Sequence, residues 1–316
     1  MKRNIYSYSK LWMILFVLMG AACTNQVEDA IPVSGQPIEF SVQSDWKEIP
    51  NTRLNDVNGT MTFTEGDQIQ IFGFHTSSPN GVETVQKFMY REDGSNRGQI
   101  VTYNGTSWNY SPKRFWPKEG NLEFYASYPQ NSIHNDADHR MMIYEQTANS
   151  MKQDLLWGVS IKKCADDRKK DVEITMKHAL AKVNIFFDKS WGDIGTVMFY
   201  AYTAGRFTET DTDGIPKWIN DGDKTTFNAK FGFDDLLRDD PGNPGTSLTV
   251  FILPGNITGF QMFDFHGDKI VGSDEISNEI QKKTFEAGKP YKLTIRRAQK
   301  NTKSRSIAMS VRCVSE

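Results

Sequence analysis

Leu122-Glu123-Phe124-Tyr125-Ala126-Ser127-Tyr128-Pro129 sets Leu122, Phe124, Ala126 and Tyr128 against Glu123, Tyr125 and Ser127, and it stops at a proline. A period of two sends successive side chains to opposite faces, so this stretch predicts a strand with one face in a core. The same pattern recurs upstream. Met61 and Phe63, the Gly66-Asp67 turn, then Ile69 and Ile71 predict two strands joined by a tight connection. Asn104-Gly105 separates Ile100, Val101 and Tyr103 from Trp108 and Tyr110, and a hairpin is expected because the central residues of the favoured turn need positive φ.

Downstream, Gln130 to Met151 is polar and rich in turn residues and is expected to be a long loop. Asp154-Leu155-Leu156-Trp157 opens a further apolar run, and the charges from Asp166 to Asp171 mark a solvated turn. Val172, Ile174 and Met176 resume the alternation, and His178-Ala179-Leu180-Ala181-Lys182 leads into Val183, Ile185 and Phe187. A boundary between two domains is placed here. Beyond it, Val197, Phe199 and Ala201 alternate with Met198, Tyr200 and Tyr202; both series are apolar, which predicts burial on two faces. Leu248, Val250 and Ile252 make a strand ended by Pro254-Gly255, and Tyr291, Leu293 and Ile295 make another after Gly288. Phe233 to Leu237 offers one helical turn. Short alternating strands between Gly, Pro, Asn and Asp turns predict an all-β chain of antiparallel sandwiches rather than an α/β enzyme core.

The N-terminal end carries a different message. Lys2, Arg3 and Lys10 precede the apolar run Leu11 to Met19, which is too short to span a bilayer, and Leu18-Met19-Gly20-Ala21-Ala22 leads into Cys23. Residues 1–22 therefore read as a cleavable export signal, with diacylglycerol on the Cys23 thiol as the anchor. Removing 22 of the 316 residues leaves 294, which suits two domains. Thr24 to Gly35 is polar and unpatterned, so residues 23–36 read as a tether. Ile38, Phe40 and Val42 then alternate with Glu39, Ser41 and Gln43, a strand that Pro50-Asn51 closes before Arg53.

At the other end, Arg296, Arg297, Lys300, Lys303 and Arg305 crowd an unpatterned linker, after which Ile307, Met309, Val311 and Cys313 share one side of a terminal strand. The formal charge of −2 and pI near 6.2 give no reason to expect nucleic acid as a partner. Besides Cys23 the chain has Cys164 and Cys313, which an exported compartment permits either to pair or to remain separate thiols.

No Gly-x-Ser-x-Gly elbow, His-Glu-x-x-His pair, phosphate-binding glycine loop or Cys-x-x-Cys pair is present, so no catalytic residue, cofactor or metal is assigned. His134, Asp136, Asp138 and His139 offer metal-like ligands in an unpatterned segment that reads better as a hydrated loop. Asp211, Asp213 and Gly214, with Asp221 and Asp223, lack the complete spaced loop of a calcium site, and Asp-Gly pairs make turns unaided. Tryptophans 108, 116, 157, 191 and 218 are expected mostly in cores, with one or two exposed for stacking on sugars.

The pieces form a specific order: Cys23 behind its small residues, the strand ending near Thr52-Arg53, Glu65-Gly66-Asp67, Phe124 to Pro129, Asp154 to Trp157, Lys177 to Val183, Leu253-Pro254-Gly255 and Gly288-Lys289-Pro290-Tyr291. Over roughly residues 37–297 this order resembles the fimbrillin-like (Mfa-like) proteins of Bacteroidales. The resemblance implies two transthyretin-like β-sandwiches in tandem, placed at 37–176 and 177–297, with 298–316 as linker and terminal strand. It implies a non-enzymatic lipoprotein displayed on the outer membrane as a pilus subunit or related adhesin, with related pilin subunits as partners.

In polymerising relatives an arginine-specific protease removes the first strand, and a neighbour's strand fills the groove by β-strand addition. Arg53 stands at the matching position, and Ile307, Met309, Val311 and Cys313 are the pocket-filling side of a candidate donor strand. The alternatives stay open: an uncut Arg53 loop, a terminal strand that folds back on its own domain, and a monomeric lipoprotein that binds glycans or host surface ligands. Ser310-Val311-Arg312-Cys313-Val314 also resembles the end of a module that follows some related surface proteins.

Overall fold

The computed structural model of the protein describes residues 31, 33–44, 55–57, 60–78, 81–136, 140–147, 150–188, 191, 194–230, 245–270, 273–296 and 310–315. Strands dominate the regular structure of these residues. Asn121–Tyr128 lies inside the largest sheet, antiparallel to Leu156–Lys163 on one side and to Gln68–Ser77 on the other. The sheet runs Phe40–Ser44, Val172–His178, Leu156–Lys163, Asn121–Tyr128, Gln68–Ser77, Gln99–Tyr103, Trp108–Asn109, with Thr84–Met89 on the second half of Gln68–Ser77. Leu122, Phe124 and Ala126 are fully buried on one face, as the alternation requires. The opposite face is covered too. Tyr125 stacks on Trp157 at 5.7 Å between centroids, Trp157 meets Phe207 edge-on at 4.9 Å, and Phe207 meets Trp218 at 4.8 Å.

That cover is a second sheet, and part of it comes from the segment expected to be a loop. Ile133–Asn135 and Met142–Glu145 pair with each other, and the second continues to Ala204–Phe207 and Ile219–Asp221. Strands of three and four residues give too few alternations to read. Their polar members mislead as well, because buried Asn135 accepts from the Tyr90 hydroxyl at 3.0 Å and donates to the Met141 carbonyl at 2.9 Å, which makes its burial tolerable.

A separate group of strands forms around a second core. The three-stranded sheet Thr225–Lys230, Thr196–Ala201, Thr258–Phe263 faces the four-stranded sheet Gly245–Ile252, Ala181–Asp188, Pro290–Arg296, Ser310–Ser315. Phe199, Phe227 and Phe260 of the first pack with Val183, Ile185 and Phe187 of the second. The cores part in sequence between Leu180 and Ala181, although Phe207, Phe251 and Leu253 return to the first and Met151 joins the second. The helix Ser273–Ile280 closes the second core with Ile276 and Ile280, one turn apart, and two apolar positions in eight residues were too faint to announce it.

Three further sequence expectations change. Thr60–Thr62 pairs with Asn55–Val57, not across the Gly66-Asp67 turn with the strand that follows, and Phe63 instead packs on Trp108 and Tyr128. Thr196–Ala201 buries Val197, Phe199 and Ala201 but leaves Tyr200 37 % exposed, so its second face is not a core face. Trp108, Trp116, Trp157 and Trp191 are buried and Trp218 is half-buried against the first core, so none of the five is a free stacking surface. The turn proposed at Phe233 to Leu237 lies outside the described residues.

Candidate functional site

The leading strand is the feature with functional geometry. Phe40–Ser44 lies parallel to Val172–Met176, in register from Phe40 opposite Val172 to Ser44 opposite Met176. Ahead of it, Val33–Pro37, at the end of the stretch expected as tether, pairs antiparallel with Phe115–Pro117. Alternation decides which side chains enter the core. Ile38 is fully buried, Phe40 is buried and Val42 is half-buried, while Ser41 and Gln43 face solvent. Phe40 meets Tyr110 at 5.7 Å and Phe124 at 5.4 Å, both edge-on. Burial of each of Ile38 and Phe40 contributes about 1.5–3 kcal/mol.

Polar contacts fix the strand where its direction changes. The Ile38 amide donates to the Arg114 carbonyl at 2.9 Å, and the Tyr110 hydroxyl donates to the Ile38 carbonyl at 2.7 Å. Burial pushes the Tyr110 hydroxyl up to about 12. The Val172 amide donates to the Glu39 carbonyl at 2.8 Å, and outside, Lys113 reaches the Glu39 carboxylate at 3.0 Å.

The receiving strand depends on this arrangement. Val172–His178 pairs in register with Leu156–Lys163 only at Leu156 with His178 and Trp157 with Lys177. Among the described residues, 172–176 take their ladder from the leading strand alone. Gly158 allows the close crossing here, since a Cβ on it would lie 2.5 Å from Ile174 Cγ2. A departed leading strand would leave Val172–Met176 as an open edge beside the hole left by Ile38 and Phe40.

The other end of the chain is placed differently. Ser310–Ser315 pairs antiparallel with Pro290–Arg296, Val311 opposite Ile295 and Cys313 opposite Leu293, and it forms the outer edge of its sheet. The structure thus draws this strand on its own chain. Ile307 and Met309 lie outside the described residues, as do Cys23 and Arg53.

The remaining candidate residues fall into ordinary roles. Cys164 is a free, buried thiol whose titration burial pushes up to about 11. His134 sits on Ile133–Asn135 with Asp136 next to it, whereas Asp138 and His139 lie outside the described residues. Asp211 Oδ1 accepts from the amides of Asp213 and Ile215, and Asp221 pairs with Arg206 at 2.6 Å, so these carboxylates already have partners. Among the described residues no helix is long and apolar enough to cross a membrane.

What sequence reasoning did not see is how its own markers meet. Asp154 pairs with His178 Nδ1, the Ala179 amide donates to the Leu155 carbonyl at 2.8 Å, and Trp157 stands opposite Lys177. Burial holds the Asp154 carboxyl above its usual range, with His178 opposing the shift. The Asp154–Trp157 and Lys177–Val183 stretches are therefore one structural unit at the seam between the cores. Trp218 closes it, its Nε1 donating to the Ala179 carbonyl at 2.6 Å.

A family model described as fimbrillin-like matches residues 52–310. A stretch of 134 residues, 40 % of this chain, is 26 % identical to Fim1C, a candidate fimbrium tip subunit of Bacteroides ovatus, and the match spans 22 % of that protein's length. Among solved structures, a candidate cell adhesion protein of Bacteroides uniformis is similar at a TM-score of 0.52 and 16 % identity, over 89 % of this chain and 97 % of that one. Another from Bacteroides ovatus gives 0.51 at 10 % identity, with the same coverage. At such identities the likeness is one of fold.

Proposed function

The chain belongs to the fimbrillin-like family, and we propose that it is a lipid-anchored, non-enzymatic subunit of a pilus or adhesive surface assembly, joined to its neighbours by strand exchange. Two transthyretin-like sandwiches, read at 37–176 and 177–297 with Ala204–Phe207 and Ile219–Asp221 lent to the first, form the body of the subunit. Lipid on Cys23 holds the exported chain at the outer membrane. Cleavage after Arg53 releases the leading strand, and a neighbour's strand pairs with Val172–Met176 and refills the sites of Ile38 and Phe40.

One observation carries this reading. Among the described residues, 172–176 have their registered pairing with the leading strand alone, so loss of that strand opens a strand-binding groove. The donor is the segment bearing Ile307, Met309, Val311 and Cys313. Support for its release is its place at a sheet edge with a single neighbouring strand, after thirteen residues, 297–309, that could extend to about 40 Å. A hairpin needs far fewer.

The test is arginine-specific proteolysis of the exported protein, followed by N-terminal sequencing and denaturing electrophoresis. The expected product begins at Leu54 and forms a ladder of oligomers, while Arg53→Ala begins at Cys23 and stays monomeric. Assembled protein that begins only at Cys23 overturns the processing step. Deleting residues 304–316 tests the donor: folded monomers that no longer assemble support it, and monomers that lose stability sink it.

A further inference from the structure

The three-stranded sheet Thr225–Lys230, Thr196–Ala201, Thr258–Phe263 gives Val197, Phe199 and Ala201 to the second core, and register fixes what stands on its other face. Met198 lies between Asn228 and Gln261, and Tyr200 lies between Thr226 and Thr258. Just past the strand end, Tyr202 has Lys224 over its ring at 5.1 Å, and Lys224 Nζ donates to Asn256 Oδ1 at 2.6 Å. Tyr202 is half-buried against the first core, so Tyr200 is the open ring of this face, flanked by amides and hydroxyls.

Two features separate this face from an ordinary wet strand surface. The first is the backing of the tyrosines. Gly259 and Gly255, both at positive φ, lie against Tyr200 and Tyr202 so closely that a Cβ would come within 2.5 Å and 3.1 Å of the rings. The rings rest on bare backbone, and Tyr200 keeps 37 % of its surface open. A rigid amphipathic ring of this kind offers contact area at little cost in side-chain entropy.

The second is charge. The outward positions of these rows carry Lys224 and Lys230 and no carboxylate. Lys224 forms no ion pair among the described residues, and burial lowers its proton affinity with no acid to offset it. An uncompensated cation beside amides that both donate and accept is complementary to an anion rich in hydroxyls.

We propose that this sheet face binds an acidic saccharide, with a pyranose ring stacked on Tyr200, its hydroxyls met by the flanking amides, and its carboxylates directed to Lys224 and Lys230. Lys224, just before the strand Thr225–Lys230, and Lys230 at its end stand six residues apart, about 20 Å in extended chain, so an oligosaccharide reaches both where a single sugar does not. The site is independent of strand exchange, because it uses none of the leading or terminal strand.

Isothermal titration calorimetry of the full exported chain tests it, with hexagalacturonate and a hyaluronan hexasaccharide as uronate-bearing probes and methyl-esterified hexagalacturonate as the neutral counterpart. At least one acidic probe is expected to bind. Tyr200→Ala then weakens acid and ester by about tenfold or more, whereas Lys224→Gln weakens the acid about tenfold and leaves the ester within about twofold. Phe115→Ala, an exposed aromatic outside this face, leaves both unchanged, and matching thermal melts show that each variant is folded. No heat from either acidic probe overturns the proposal, as does binding that Tyr200→Ala leaves intact. A concentration-dependent dimer abolished by Tyr200→Ala in sedimentation velocity also overturns it, because a second copy would then be the occupant.

Discussion

The leading strand and the terminal strand are both edge strands, yet they meet their neighbours in opposite directions. Phe40–Ser44 is parallel to its neighbour, places Ile38 and Phe40 in the core, and is fastened at Ile38 by Tyr110 and Arg114. Ser310–Ser315 is antiparallel, closes a sheet from outside and follows a long basic connection. Side-chain burial ties the first strand to the cooperative unit, so it leaves only at the cost of opening the core. An edge ladder can open locally, because subglobal opening draws on only part of the global stability.

The sharpest way to break this contrast is Phe40→Ala. Removing a buried phenyl ring flanked by Tyr110 and Phe124 is expected to cost about 3–5 kcal/mol, read from urea melts of the uncleaved chain. Deleting 304–316 in the same assay is expected to leave the transition of the first core in place. A Phe40→Ala loss below about 1 kcal/mol would mean that the leading strand is no more secured than the terminal one.

Tyr110→Phe isolates the fastening hydroxyl. It removes the bond to the Ile38 carbonyl and is expected to cost about 1 kcal/mol. The pH dependence has a definite sign. The folded pKa near 12 lies above the ordinary tyrosine value of 10.0, so this contribution is complete below pH 10 and is lost as pH rises through the folded value. Stability of the wild type minus that of Tyr110→Phe should shrink across that window. A difference constant with pH would place the hydroxyl outside the energetics of the strand.

Much of this contrast was legible in sequence, and its decisive part was not. Leu122 to Tyr128 announced itself because seven alternating residues leave little choice of period. Ile38, Phe40 and Val42 did the same for the leading strand. Alternation says which side is buried but not which strand lies alongside or in which direction, so the parallel pairing with Val172–Met176 could not be foreseen. The outer face around Tyr200 was misread for a related reason. Its tyrosines count as apolar in a periodicity, and their flanking Asn228, Gln261 and Asn256 become neighbours only once register is known. The tryptophans misled in the opposite direction. Cores were expected to hold most of them and hold four, but neither of the one or two expected at the surface is there, because the fifth is packed half-buried at the seam.

The smallest expected effect concerns charge on the leading strand. Lys113 Nζ lies 3.0 Å from both Glu39 carboxylate oxygens and 4.7 Å from the centre of the Tyr110 ring, which makes it look like a third fastening. Both side chains are more than a third exposed. An exposed pair of this kind contributes between zero and about 1 kcal/mol, and salt screens it further. Lys113→Gln should therefore cost under about 0.5 kcal/mol at low salt and nothing measurable at 1 M salt, where the screening length falls to about 3 Å. A larger loss that persists in salt would make the strand's attachment electrostatic. With the small loss expected, shape and the buried hydroxyl hold the leading strand, and a change of ionic surroundings outside the cell does not loosen it.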